Sequence, residues 1–244
     1  VDELHSMAGI ERFKDRTHAG ELLAGQLVRY ARQPDAIVLA LPRGGVPVGH
    51  AIARRLGIAL DVLVVRKLGM PGHEEFAMGA VGSGGVRVLQ PGVPGLMGVS
   101  ARDVDAVAAR ELAELARREQ AYRGVRAPLQ LTGRRAILVD DGVATGSTML
   151  AAIEVARRLG PAELALAIPV APPETALTLA PHVDTLVCLL APPRFRSVGQ
   201  WYDSFDQTDD AQVQHLLADA WRSQQPLKTQ PGGPHHETDD GYRL

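Results

Sequence analysis

The chain has 244 residues, 45% of them hydrophobic, with a formal net charge of −2 at neutral pH. That length holds one large α/β domain or one domain with appendages, and the apolar content excludes general disorder. The near-neutral charge gives no support for a broad nucleic-acid-binding surface, and no 18-residue apolar run predicts a membrane span.

Residues 1–15 read as a polar lead-in, too charged for a signal peptide, so a cytoplasmic protein is expected. The stretch RTHAGELLAGQLVRYAR predicts a helix with Ala19, Leu22, Leu23 and Leu27 on one side. A short strand, Ile37 to Leu41, then meets a Pro-Arg-Gly-Gly turn and a helix that stops at Gly57. Val62 to Val65 read as another buried strand, with Arg66 and Lys67 emerging at its carboxyl end. Residues 69–100 are rich in Gly and Pro, with extended runs near Ala77–Val81 and Val86–Leu89. They predict a long mobile loop or a small hairpin.

Ala101 to Tyr122 is rich in Ala, Leu, Glu and Arg and predicts a long helix. Strand, turn and helix follow through Gly160, then a further strand and helix, then the strand in VDTLVCLLAP. The one cysteine, Cys188, lies in that last apolar run; it excludes an intramolecular disulfide and reads as a buried core thiol. Short apolar runs alternating with helices predict an α/β fold with a mainly parallel central sheet flanked by helices. Such sheets bind ligands beyond the carboxyl ends of their strands. Residues 1–222 are expected to form a single domain. Residues 223–244 lack apolar periodicity and read as a disordered tail, with His235 and His236 solvated rather than metal-bound.

The most informative stretch is AILVDDGVATGSTM, Ala136 to Met149. A buried strand ends in two adjacent carboxylates, followed by small residues and hydroxyls that enter a helix. Asp140 and Asp141 can accept hydrogen bonds from vicinal hydroxyls or help hold a hydrated divalent ion. Gly142, Val143, Ala144, Thr145, Gly146, Ser147 and Thr148 can surround a phosphate with helix N–H groups, a favourable dipole and three hydroxyls. The plainer alternative is that Asp141 or Thr145 caps the helix. The turn lacks the lysine of a nucleotide-triphosphatase phosphate loop and the dinucleotide-binding glycine pattern.

Val139 to Thr148 closely resembles the phosphoribosyl-pyrophosphate signature of type I phosphoribosyltransferases. The resemblance implies that Asp140 and Asp141 hold the ribose 2- and 3-hydroxyls and that residues 144–148 bind the 5-phosphate. It also implies a pyrophosphate loop at Arg43, Gly44 and Gly45, a position that often carries an unusual peptide geometry in that family. Arg66 and Lys67 are similar to the basic pair of adenine and orotate phosphoribosyltransferases; the alternative is solvated strand-end charges. The segment LGMPGHEEFAMGAVG looks like the family's mobile catalytic loop. His73, Glu74 and Glu75 are candidates there for proton handling or lid contacts, or form a surface charge cluster.

RFKDRTHAG, LPRGGV, VRKLGMPGHEEFAMGAVG and FRSVGQWYDSFDQTDDAQV together resemble a bacterial subfamily of phosphoribosyltransferases, across most of residues 12–221. By that resemblance, the N-terminal region and residues 192–222 form a hood over the acceptor base. Phe195, Trp201 and Tyr202 then either stack on a flat acceptor or fill the hood core. The oxopurine enzymes carry an aspartate where this chain has Ala144, which disfavours 6-oxopurine acceptors.

The implied reaction is magnesium-dependent transfer of a 5-phosphoribosyl group from phosphoribosyl pyrophosphate to a nitrogenous base or related acceptor. Magnesium would be held mainly by substrate and water, with Asp140 and Asp141 contributing indirectly. A homodimer with small-molecule substrates, and neither nucleic acid nor membrane as partner, is the expected setting. The alternatives are a non-enzymatic regulator that binds the same donor and a phosphohydrolase using the same phosphate site.

Overall fold

A computed structural model of the chain describes residues 11–223. In chain order it comprises α1 (Arg16–Gln26), β1 (Ala36–Ala40), α2 (Gly45–Leu56), β2 (Ala59–Val62), β3 (Val65–Met70), β4 (His73–Gly82) and β5 (Val86–Leu89). There follow a single turn, α3 (Val93–Leu96), and then α4 (Ala101–Arg123), β6 (Arg135–Val139), α5 (Ser147–Arg158), β7 (Glu163–Val170), α6 (Pro173–Leu179), β8 (Thr185–Leu190) and α7 (Asp210–Ser223).

Five strands form a parallel sheet in the order β2-β1-β6-β7-β8. The expected α/β architecture is therefore present. All five residues of β1 are buried, as are seven of the eight in β7, because helices cover both faces of the sheet. Alternate side chains point to opposite faces. Val38, Ala40, Ile137 and Val139 pack in the core that holds α1, α2, α4 and α7, whereas Ile37, Leu39, Leu138 and Leu166 join the core beneath α5 and α6.

β1 continues through α2 to β2 on one side, while its other neighbour, β6, continues through α5 to β7 on the opposite side. The β1/β6 boundary is thus a topological switch point, where loops diverge and leave a crevice beyond the strand ends. The Pro-Arg-Gly-Gly turn and the Asp-Asp turn leave the sheet there, side by side.

Of the two forms expected for residues 69–100, a mobile loop or a small hairpin, the structure shows the hairpin. β3, β4 and β5 form a three-stranded antiparallel sheet, and the two predicted extended runs fall within β4 and β5. Two glycines serve close packing rather than looseness. A Cβ on Gly79 would lie 2.1 Å from the Val88 carbonyl oxygen, and one on Gly82 would lie 2.3 Å from Val155 of α5. The base of this hairpin sheet is therefore docked on the domain, and the Pro71–Gly72 turn forms its outer end. Ser223, the first residue of the predicted tail, is instead the last of α7; residues 224–244, with His235 and His236, lie outside the described residues.

Candidate functional site

The acidic turn is built around shared constraints. Asp140 Oδ1 accepts the backbone N–H of Asp141 at 2.9 Å. Asp141 Oδ2 accepts Arg16 Nε at 2.8 Å, and these two side chains are only 14% and 12% exposed. Each carboxylate thus commits one oxygen internally, leaving Asp140 Oδ2 and Asp141 Oδ1 without a partner among the described residues. The uncommitted oxygens, one on each of two consecutive residues, supply acceptors of the kind that the two donors of a vicinal diol require.

The electrostatics keep this pair poised. Burial pushes the Asp140 carboxyl well above the usual range, and the neighbouring Asp141 charge adds to the effect. Burial also raises Asp141, while Arg16 opposes the rise by its charge and its hydrogen bond.

The glycines of the adjacent turn have a structural reason that the sequence did not disclose. A Cβ on Gly44 would sit 2.1 Å from Asp141 Oδ2, and one on Gly45 would sit 2.7 Å from the Val139 carbonyl oxygen. Both glycines let the two turns touch. The Gly45 N–H is itself engaged, donating to the Leu41 carbonyl at 3.1 Å. The Pro42–Arg43 peptide is cis, the unusual geometry that the resemblance implied for this loop. The Arg43 side chain reaches the start of α7, with Nη1 3.7 Å from Asp210 Oδ1. It lines a polar cavity of about 360 Å³ with Arg117, Arg118, Tyr122 and Asp210.

Beyond the carboxylates, Gly142 and Val143 are buried, whereas Ala144, Thr145, Ser147 and Thr148 are exposed at the start of α5. The helix begins behind Gly146 with no side-chain cap. Neither Asp141 nor Thr145 caps it, so the first-turn N–H groups stay available to an anion. The Ala144 carbonyl accepts Thr175 Oγ1 at 2.7 Å, which anchors the turn to α6.

The basic pair on β3 divides. Lys67 Nζ reaches Ser147 Oγ at 3.4 Å, at the edge of the α5 turn. Arg66, on the opposite face, donates through Nε to Glu111 Oε2 of α4 at 2.6 Å. Burial raises the Glu111 carboxyl, but its bonds to Arg66 and Arg110 outweigh burial and hold it below the ordinary range. Adjacent strand residues point to opposite faces, so the two cations cannot act as one patch. His73 and Glu74 are exposed near the hairpin tip. Glu75 lies in β4, but its side chain is outside the described residues.

The three aromatic candidates of the hood occupy different settings. Tyr202 is 2% exposed and packs between Phe13 and Phe205, at ring-centroid distances of 5.3 and 4.9 Å. Its hydroxyl donates to the Asp141 carbonyl at 2.6 Å. Phe195 and Trp201 are half-buried against the same core, and Trp201 Nε1 is buried without a partner among the described residues. Cys188 is 4% exposed, and burial pushes its thiol up to about 12, as suits an unreactive core residue.

Arg16, Thr175 and Phe205 were not legible as site residues. Arg16 bonds to residues 125 and 190 positions away and Thr175 to one 31 away, contacts that the sequence does not display, although Arg16 and Phe205 lie in stretches that carry the family resemblance.

The phosphoribosyl transferase domain family model matches residues 9–191. The chain belongs to this family. A Mycobacterium tuberculosis phosphoribosyl transferase, provisionally so named and designated Rv0571c in strain H37Rv and MT0597 in strain CDC 1551, is 45% identical over 210 residues. That match covers 86% of this chain and 47% of the relative, so the chain spans about half the length of the curated relatives it matches. The crystal structure of the Thermus thermophilus protein TT1426 is 44% identical, with a TM-score of 0.77, covering 85% of this chain and 98% of that one. The phosphoribosyltransferase family model ends at the carboxyl end of β8, so Phe195, Trp201, Tyr202 and Phe205 all lie beyond its match.

Proposed function

We propose that this domain transfers a 5-phosphoribosyl group from phosphoribosyl pyrophosphate to an acceptor nitrogen, releasing pyrophosphate. The observation carrying this reading is the pair of uncommitted oxygens on Asp140 and Asp141, one per carboxylate, beside an uncapped helix N-terminus. One end accepts the ribose hydroxyls; the other takes the 5-phosphate through the α5 amides and the hydroxyls of Thr145, Ser147 and Thr148.

Lys67, already beside Ser147, opposes the leaving group's charge, and Arg43 joins it by swinging from Asp210. Arg66 serves indirectly by tying β3 to α4. The hairpin tip, with Glu74 and Glu75, covers the sugar and excludes water from its electrophilic carbon. Magnesium, if bound, would be held mainly by substrate oxygens and water with Asp140 and Asp141 contributing indirectly, and would supply electrostatic stabilisation of the departing pyrophosphate. The donor set fits a hydrated ion: Asp140 and Asp141 offer two carboxylates, each with one oxygen uncommitted.

At the position where oxopurine enzymes carry a proton-handling aspartate stands Ala144, exposed and unable to accept a proton. Hypoxanthine, guanine and xanthine are therefore disfavoured acceptors. The test is magnesium-dependent pyrophosphate release over a panel of bases, with a control lacking acceptor. Release that requires adenine, orotate or another non-oxopurine acceptor supports the proposal, and efficient turnover of a 6-oxopurine overturns the acceptor assignment. Release without acceptor indicates a hydrolase. Donor binding without any release indicates a regulator and overturns the enzyme reading.

A further inference from the structure

Arg16 makes three contacts with different parts of the molecule. Its Nε donates to Asp141 Oδ2 at 2.8 Å, its Nη1 donates to the Asp206 carbonyl at 2.7 Å, and its guanidinium lies 3.9 Å from the centroid of the Phe205 ring. It stands at the first position of α1, where Asp15 Oδ1 caps the helix by accepting the His18 N–H. The backbone that carries Arg16 is therefore fixed, and a planar guanidinium with donors in two directions is oriented by the stacked ring.

We infer that Arg16 is a positioning residue for sugar recognition: it consumes Asp141 Oδ2, turns Oδ1 toward the ligand and couples this choice to the hood segment at 205–206. The inference rests on the diol-clamp reading of Asp140 and Asp141. Without Arg16, nothing among the described residues distinguishes the two oxygens of Asp141 by hydrogen bonding. The carboxylate would lose the hydrogen bond that selects its orientation, and its buried charge would lose its cationic partner. A lysine cannot replace the arrangement, because one ammonium lacks the fixed fork that serves Asp141 and Asp206 together.

The consequence is specificity for a particular sugar hydroxyl, which separates positioning from general support of the fold. The experiment measures dissociation constants by titration calorimetry for ribose 5-phosphate, 2-deoxyribose 5-phosphate, 3-deoxyribose 5-phosphate and inorganic phosphate. Wild type, Arg16→Gln and Arg16→Lys are compared after circular dichroism and thermal melting. Wild type should prefer ribose 5-phosphate over each deoxy sugar by about tenfold or more, as expected for a hydrogen bond to a charged acceptor. Both variants should lose that preference against one deoxy sugar, the one lacking the hydroxyl held by Asp141. They should keep it against the other, with inorganic phosphate binding within about twofold of wild type.

Unchanged preferences against both deoxy sugars in either folded variant would overturn the positioning role. If only Arg16→Gln fails to fold, Arg16→Lys, which keeps the charge and stem, decides alone. If wild type itself shows no preference for ribose 5-phosphate, the diol-clamp reading falls first and this inference with it, a pattern distinct from failure of the variants alone.

Discussion

At the scale of single residues, burial of the acidic turn trades stability against the sugar recognition proposed for it. Asp140 illustrates the sign of that trade. Burial and the charge of Asp141 raise its folded-state pKa above the unfolded value, so the folded protein holds this proton more tightly than the unfolded chain does. Its cost is absent below the unfolded carboxylate range, about 3.9, and grows as pH rises through the folded pKa. Asp140→Asn keeps an oxygen for the Asp141 N–H and removes the charge. The variant should therefore be more stable than wild type near neutral pH, with the difference shrinking toward zero in acid, while ribose 5-phosphate binding weakens. Urea titrations at several pH values check this. A stability difference that is flat with pH would show that burial of this charge carries no cost.

At the scale of elements, the strand ends need support that comes from far along the chain. β2 leads into β3 and its Lys67, and β2 is held to the end of α4 by a buried ion pair. Arg123 Nε and Nη2 contact Asp61 Oδ1 and Oδ2, each at 3.0 Å, with both side chains 8% exposed. The same Arg123 donates to the Ala127 carbonyl at 2.7 Å. Arg123→Leu leaves Asp61 buried without its counter-charge and is expected to cost about 3–5 kcal/mol of stability. Arg123→Leu combined with Asp61→Leu should cost less than the single change, because both charges leave together. Chemical denaturation of the three proteins measures the difference; a double variant no more stable than Arg123→Leu would contradict the account. This pair was invisible in the sequence, where Asp61 sits inside an apolar strand and Arg123 is one of many helix arginines. The hairpin was legible as one of two expected forms, but the close packing of Gly79 against Val88 and of Gly82 against Val155 was not.

At the scale of the whole molecule, distant segments meet at one crevice: the β1 turn, the β6 turn, the hairpin through Lys67, and the start of α1 and the segment before α7 through Arg16 and Tyr202. The parallel architecture and the acidic turn were legible because strand-helix alternation and the Asp-Asp-small-hydroxyl run are local patterns. The clamp that orients Asp141 was not, because it is assembled from the start of α1 and the segment before α7. Sequence also paired Arg66 with Lys67, which strand alternation separates. This convergence carries an expectation for the ligand-bound protein. Lys67 joins the outer sheet to the first residue of α5 through one long, solvent-exposed contact, and under the proposed function a bound pyrophosphate would strengthen that link. Adding phosphoribosyl pyrophosphate with magnesium should slow amide hydrogen exchange at residues 69–76 and 144–150, and to a lesser degree at 202–206. The strand amides of β7, buried between helices in both states, should not change. Protection at 144–150 without any change at 69–76 would leave the phosphate site standing but remove the hairpin tip as a cover, because a lid that closes on the donor must exchange more slowly when the donor is present.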